Sequence, residues 1–223
     1  MHSAAASFTE TERRLVNDAI VEAERATSAE IMVVVASASG RYDRSEDMAG
    51  LWLGLAALTV AWLAFQRIAD DWGDPDLRLG LLPIVLIVLG GFIAGAMIAA
   101  HVAWIRRFFT PRAEMEAEVN VRARQVFFDF RVRRTKDRGG VLLFVSLFER
   151  IAVVLADDVG AEKLGAGAIE QLCNRLTEHL RGGANVAQAM SETVRSAGEQ
   201  LAPVLPRQAD DVNELPDTLI TID

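Results

Sequence analysis

Cysteine is almost absent from this sequence, with Cys173 the single example in 223 residues. One thiol cannot build a disulfide framework, and it cannot supply a zinc site made of several thiolates. Basic residues are outnumbered, because 23 lysines and arginines face 31 aspartates and glutamates, which gives a formal net charge of −8. This acidic balance argues against a nucleic-acid-binding protein, and a hydrophobic content of 51% excludes a disordered chain.

Several motifs of phosphate-handling and hydrolytic enzymes are missing as well. Cys173 does not begin a Cys-x5-Arg phosphatase motif, and its place in a helical pattern predicts a partly buried helix residue. No Gly-x4-Gly-Lys phosphate loop occurs. The histidines fall at the chain start, in an apolar stretch and on a predicted helix, so neither a Ser-His-Asp set nor a histidine metal cluster is expected: His2, His101 and His179.

Aspartate, glutamate, lysine and arginine are missing from two long apolar stretches, 48–66 and 79–105. A bilayer core about 30 Å thick requires roughly 20 apolar residues in a helix, and both stretches reach that length. Each is therefore predicted to be a transmembrane helix, because a helix satisfies its backbone hydrogen bonds within the segment. Two buried helices of a large soluble protein are the alternative, but the rest of this chain is too small to cover them.

The first 47 residues hold no continuous apolar run, so a cleaved signal peptide is not expected. The loop 67–78 between the stretches holds four aspartates and two arginines. Arginines also precede the first stretch, at Arg41 and Arg44, and follow the second. By the positive-inside rule, both termini are expected in the cytoplasm of a multi-pass protein of the inner (plasma) membrane.

Membrane lipid is an expected partner near the end of the second stretch. Segment 106–138 carries ten lysines or arginines against five aspartates or glutamates. Contact with anionic lipid headgroups is one interpretation of this excess, and a solvated helix face is the other. Aromatic residues suited to the membrane interface flank the stretches: Trp72, Trp104, Phe108 and Phe109.

Small residues recur at helical spacing in both stretches, at Gly50 and Gly54 in the first and at Gly91, Gly95 and Ala99 in the second. Such faces let helix backbones approach closely. Two interpretations follow. Either the two helices pack against each other within one chain, or the face of Gly91 and Gly95 joins copies into a homo-oligomer.

The remaining sequence alternates helical and strand patterns. Thr9 and Glu12 form a capping box that predicts the start of the first helix, and Ile31–Ala36 is a short, wholly apolar run typical of a strand buried on both faces. The further predicted elements are helix 112–134, strands 141–147 and 151–156 joined as an antiparallel hairpin, and helices 161–181 and 185–205. Residues 207–223 look like an acidic tail, within which 219–222 is a possible edge strand.

Residues 1–47 offer one helix and one strand, which cannot bury a core alone. We therefore predict one α/β domain made of 1–47 and 106–206 and interrupted after its first strand by a transmembrane helical hairpin, 48–105. The first strand and strand 141–147 are joined by a helical crossover, which favours parallel pairing. This arrangement requires both parts to lie on the same side of the membrane.

Four segments carry a resemblance to a known family. The segments Phe8–Glu12, Thr27–Val35, Gly140–Arg150 and Ala156–Gly160 resemble those of the TPM-domain family, in its subgroup with an inserted two-helix membrane hairpin. The resemblance implies a small central sheet with helices on both faces. It also implies acid-phosphatase-like activity and binding of calcium or another divalent cation. The pair Asp157-Asp158 departs from the usual family loop, which has one acid there.

Three carboxylates are the candidate metal ligands: Glu30, Asp157 and Asp158. They lie at strand ends or in loops, and Glu30 and Asp157 are expected at one edge of the sheet. Calcium prefers several carboxylate and carbonyl oxygens in a flexible arrangement. The alternative for Asp157 and Asp158 is capping of the helix that follows. Glu149 is expected to be a solvated charge paired with Arg150.

Two functions remain open at this point. The first is a membrane-tethered binding or scaffold module that binds a protein partner or a cation. The second is a metal-assisted hydrolase of phosphate esters that uses the acidic loops. We favour the first, because the sequence has a well-formed core and an anchor but no assembled catalytic set.

Overall fold

The computed structural model describes residues 3–72, 80–132, 139–207 and 215–223, with the backbone alone for 66–72. The chain forms two compact units. The α/β unit contains the residues up to Gly40 and those from Met115 onward, and the hairpin unit contains Arg41–Glu114. Both candidate membrane helices fall in the hairpin unit, and every described strand falls in the α/β unit.

Four strands are present in the described parts of the chain and form one sheet in the order β3-β2-β1-β4. Their bounds are Ile31–Ala36 (β1), Val141–Ser146 (β2), Ile151–Ala156 (β3) and Ile220–Ile222 (β4). β1 pairs in parallel with β2 and with β4, whereas β2 and β3 form an antiparallel hairpin. The predicted strand positions and both pairing directions are confirmed, and β1 is central although it comes first in the chain.

The helices of the α/β unit are Glu10–Glu24 (α1), Arg112–Asp129 (α5, whose first turn belongs to the hairpin unit), Asp158–Leu164 (α6), Ala166–Gly182 (α7) and Val186–Leu201 (α8). Thr9 caps α1 with Glu12 in the predicted capping box. Alternate residues of β1, β2 and β3 form one buried cluster with apolar residues of α1, α7 and α8. The opposite face of β1 and β2 is also buried, as expected for strands without polar alternation.

One predicted helix, 161–181, is wrong, because the structure breaks it into α6 and α7 at Gly165. Gly165 has a φ of 78°, a left-handed conformation that glycine adopts without the steric cost of a Cβ. The apolar spacing continues across this break, so periodicity alone concealed it. Cys173 lies on α7 as predicted, partly buried, and its sulfur accepts a hydrogen bond from the Val154 N–H at 3.0 Å.

Within the predicted acidic tail, the possible edge strand at 219–222 is confirmed as β4 at the edge of the sheet, so the last nine residues belong to the α/β unit. β4 pairs with β1, and Leu219 is buried. The Asp223 carboxylate accepts hydrogen bonds from the Ser3 hydroxyl at 2.9 Å and the Ala4 N–H at 3.2 Å. The two ends of the α/β unit are therefore fastened to each other, while the rest of the predicted tail, 208–214, lies outside the described residues.

The hairpin unit contains two long helices, Asp43–Trp72 (α2) and Leu81–His101 (α3), which lie between β1 and β2 in the chain. Both are long and apolar enough to cross a membrane. α2 extends beyond the predicted stretch at both ends, so Trp72 is its last residue and not part of a loop. Residues 73–79 of the predicted loop lie outside the described part of the chain.

We expected the second apolar stretch to be one helix, and this prediction is wrong. α3 ends at His101, and a short helix, Ala103–Phe109 (α4), follows. Val102 between them is extended, with φ −108° and ψ 94°. Arg106 of α4 forms an ion pair of 3.1 Å with Glu46 of α2. This contact holds α4 against α2.

The small residues of α2 and α3 pack against each other inside the hairpin. A Cβ on Gly91 would lie 2.8 Å from the Cα of Gly54, and a Cβ on Gly95 would lie 2.8 Å from the Cα of Gly50. The structure thus shows the close intramolecular approach that this spacing permits. A homo-oligomer through Gly91 and Gly95 stays a prediction.

Candidate functional site

The predicted metal ligands lie at the edge of the sheet where β1 and β2 begin and β3 ends. The Glu30 carbonyl accepts the N–H of Val141 at 2.8 Å, and the Gly140 carbonyl accepts the N–H of Asp157 at 2.9 Å. Glu30 and Asp157 therefore lie at the same edge, as expected. They stand on either side of β2, about 9–10 Å apart at the backbone, because neighbouring strands are about 4.8 Å apart.

Asp157 caps α6 and joins it to the sheet. Its carboxylate accepts the Gly160 N–H at 2.8 Å and the Gly140 N–H at 3.1 Å, and the side chain is almost wholly buried. Burial raises the pKa of Asp157, while the hydrogen bonds from Gly160 and Gly140 oppose that shift. Each carboxylate oxygen thus has a backbone partner, which is the capping role that the sequence allowed as an alternative.

Asp158 and Glu30 also have structural roles that do not involve a metal ion. Asp158 is exposed and begins α6, where a negative charge interacts favourably with the helix dipole. Glu30 is 6% exposed, and its carboxylate accepts the Leu215 N–H at 3.2 Å. Among the described residues, no three His, Cys, Asp or Glu side chains stand close enough to hold a metal ion.

Calcium therefore does not fit this edge as it is arranged. The ion takes six to eight oxygen ligands. The Asp157 oxygens cannot be counted among them in this arrangement, because both accept hydrogen bonds from backbone N–H groups. The prediction of a metal site at Glu30, Asp157 and Asp158 stays a prediction, and it would require Asp157 to leave its backbone partners.

A second acidic group at this edge was not foreseen from the sequence. Glu24, at the end of α1, accepts the Ile31 N–H at 2.8 Å. Burial, the nearby charges of Glu30 and Asp217, and a hydrogen bond with Asp217 together raise the pKa of Glu24 to about 8. Glu24 seemed an ordinary polar helix end, and only the return of the last residues to β1 brings Asp217 beside it.

At the opposite edge of the sheet, the prediction that Glu149 is a solvated charge is wrong. Glu149 is 5% exposed and accepts the N–H groups of Ser39 at 2.8 Å and Gly40 at 3.3 Å. It also accepts a hydrogen bond from the Ser146 hydroxyl, which in turn accepts one from the Ser39 hydroxyl at 2.8 Å. Two successive residues after β1, Ser39 and Gly40, make the difference together with Ser146 at the end of β2, because their backbone and hydroxyl donors satisfy the buried carboxylate.

We expect Asp157→Ala to lower the free energy of unfolding of the α/β unit by about 2 kcal/mol, because a lost cap and an unsatisfied buried N–H each cost energy on that scale. The lone thiol of Cys173 provides the measurement, since its labelling by a thiol reagent during denaturation of the full chain reports opening of α7 from β3. Asp158→Ala is the matched control, with an expected change within about 0.5 kcal/mol. Equal effects at the two positions would contradict the capping role.

Comparison with known proteins gives a likeness of fold. No protein-family model matches the chain, and no curated protein matches its sequence. Among solved structures, the chain is similar to the NMR structure of the BA42 protein from the psychrophilic bacterium Bizionia argentinensis, with 20% sequence identity and a TM-score of 0.55. The match covers 96% of this chain and 94% of the other. At this identity the shared feature is the mixed α/β architecture.

Proposed function

We propose that this protein is a TPM-like binding or scaffold module tethered to the inner membrane of a bacterium, with α2 and α3 as a transmembrane hairpin. The observation that carries the proposal is the exposure of the two apolar helices. Only 17% of the candidate span in α2 and 6% of that in α3 is buried within the protein. Core helices of a soluble protein would be mostly covered, and apolar surface of this extent is stable when lipid surrounds it.

The hydrogen bonds between the two ends of the α/β unit support two crossings of the membrane, with both ends on the same side. Ser3 and Asp223 hydrogen-bond to each other in the α/β unit, and β1 pairs with strands that follow the hairpin. A chain that crosses the bilayer once could not form this unit. Two crossings return it to the starting side, and the arginines beside the spans favour the cytoplasm for that side. There the α/β unit would bind a protein partner.

Cysteine labelling of the full chain in cells tests this topology. In a Cys173→Ser background, Glu10→Cys places a thiol on an exposed position of α1, and Asp76→Cys places one between the spans. A membrane-impermeant maleimide should label position 76 in spheroplasts and position 10 only after lysis. Release of the chain from membranes by alkaline carbonate, or labelling of position 10 before lysis, would overturn the proposal.

A calcium titration tests the cation binding that the family resemblance implies. The amide resonances of Gly140 and Gly160 report whether Asp157 keeps its backbone partners in the detergent-solubilised chain. If calcium recruits Asp157, both resonances should shift in wild type and return on addition of a chelator, while magnesium serves as the comparison ion. Unchanged resonances at millimolar calcium would leave a protein partner as the module's ligand.

A further inference from the structure

We propose that the hairpin unit binds one anionic phospholipid, with an acyl chain in a groove between α2, α3 and α4 and the phosphate beside Arg107. The inference rests on the proposed function, because it requires the hairpin to lie in a bilayer. It goes further by assigning a site and a class of lipid.

The groove has a volume of about 410 Å³, within the range of about 300–1,000 Å³ usual for small-molecule pockets. Small residues form part of its lining, at Ala49, Ala56 and Gly95, and leave the space that a larger side chain would fill. The other lining residues are also apolar: Trp52, Leu53, Ile98, Trp104, Ile105, Phe108 and Phe109. A lining this apolar suits an acyl chain, and the indole N–H groups of Trp52 and Trp104 are the only side-chain donors among these lining residues.

The break at Val102 creates the third wall of this groove. Because the backbone at Val102 is extended, α4 leaves the axis of α3 and places Trp104 and Phe108 on the groove. The ion pair between Arg106 and Glu46 fixes α4 against α2. The groove is therefore lined entirely by residues of the hairpin unit.

The exposed aromatics and the local charge identify the occupant. Trp104 is 69% exposed and Phe108 is 77% exposed, an arrangement that suits the boundary between headgroups and acyl chains. Residues 96–113 contain three arginines, Arg106, Arg107 and Arg112, and no acidic residue. Arginine presents a planar fork of donors that matches phosphate. Arg106 is paired with Glu46, so Arg107, on the same short helix as the aromatic lining, and Arg112 after it carry the remaining positive charge. A net negative headgroup complements this charge better than a zwitterionic one, which favours an anionic phospholipid.

Tryptophan quenching by brominated lipids tests the site, because all four tryptophans belong to the hairpin unit. One variant keeps only Trp104 and a matched variant keeps only Trp62, with the other tryptophans replaced by phenylalanine. Each is placed in phosphatidylcholine nanodiscs that contain a small, equal fraction of brominated phosphatidylglycerol or brominated phosphatidylcholine. We expect roughly five-fold enrichment of phosphatidylglycerol at Trp104, the preference that one basic residue gives near a membrane surface, and no preference at Trp62.

Two substitutions separate charge from shape. Arg107→Gln should remove the preference for phosphatidylglycerol, and Ala56→Phe should reduce quenching of Trp104 by filling the groove. Val60→Phe, an equally bulky change at an exposed position of α2 outside the lining, should leave Trp104 quenching unchanged.

The outcomes distinguish this inference from the proposed function. Quenching of Trp62 with no lipid preference at Trp104 would overturn the lipid site and leave the membrane anchor intact. Absence of quenching at both positions would overturn the anchor together with the site. Protection of Trp104 from both lipids, with cross-linking between copies, would show that a second copy of the chain fills the groove.

Discussion

Gly140→Ala should destabilise the α/β unit by about 3 kcal/mol, the upper part of the range for overpacking a closed site. A Cβ at this position would lie 2.1 Å from the carbonyl oxygen of Val132 and 2.9 Å from its Cγ1. The main chain on both sides is held, since the Gly140 N–H donates to Asp157 and its carbonyl accepts the Asp157 N–H. A backbone oxygen cannot move aside as a flexible side chain can, so the start of β2 must shift.

The denaturant midpoint for Cys173 labelling of the full chain measures this effect without interference from the hairpin unit. Gly167→Ala in α7 is the matched control, because nothing lies within 4 Å of a Cβ built there. It should leave the free energy of unfolding unchanged or raise it by up to about 1 kcal/mol, the helix-propensity gain of alanine over glycine, so the midpoint should not fall. A Gly140→Ala protein as stable as this control would show that the close approach of Val132 and Gly140 is not present in solution.

The α/β unit should lose on the order of 2 kcal/mol of stability between pH 5 and pH 8 because of Glu24. Its pKa is raised from 4.5 to about 8, so the folded state keeps a proton that the unfolded chain releases. The folded state then binds more protons than the unfolded state across this window, and stability falls as pH rises. The magnitude allows for the partial exposure of Glu24 to solvent.

Glu24→Gln should flatten this pH dependence and make the protein more stable than wild type at pH 8. A glutamine oxygen can still accept the Ile31 N–H, and its amide can donate to Asp217 without a buried charge. Glu22→Gln is the control on the same helix, since Glu22 is exposed and pairs with Arg195 at 3.1 Å. The measurement is thermal unfolding at a series of pH values, monitored through the labelling of Cys173. If stability falls with pH as steeply in Glu24→Gln as in wild type, Glu24 is not the cause of the pH dependence.

The predictions that succeeded depend on local pattern. The capping box at Thr9, the wholly apolar run of β1 and the short β2–β3 hairpin each specify an element from a few adjacent residues. The parallel pairing of β1 with β2 followed from chain order and a helical crossover. These features need no knowledge of distant contacts, which is why the mixed α/β fold and the inserted hairpin were predictable.

The features that were missed depend on contacts between distant segments. Glu149 looked solvated because its donors, at Ser39 and Gly40, lie more than a hundred residues away in sequence. The association of Glu24 with Asp217 arises only when the last strand joins β1. No glycine or proline marks the break at Val102 in the sequence. The ion pair beside it, between Arg106 and Glu46, joins two helices that are distant in sequence and so could not be predicted from local pattern. The sequence was enough to predict that Glu30 and Asp157 lie at the same edge of the sheet. It was not enough to predict that the Asp157 carboxylate accepts hydrogen bonds from the backbone of Gly140 and Gly160.

The central position of the first strand has a consequence for biosynthesis. β1 leaves the ribosome before either of its neighbours, and its partner Val141 is made about 110 residues after Ile31. Until then a wholly apolar segment has open hydrogen-bonding edges on both sides, the kind of nascent segment that aggregates or recruits a chaperone. The hairpin is translated in this interval, so under the proposed membrane anchoring its insertion into the bilayer precedes closure of the sheet.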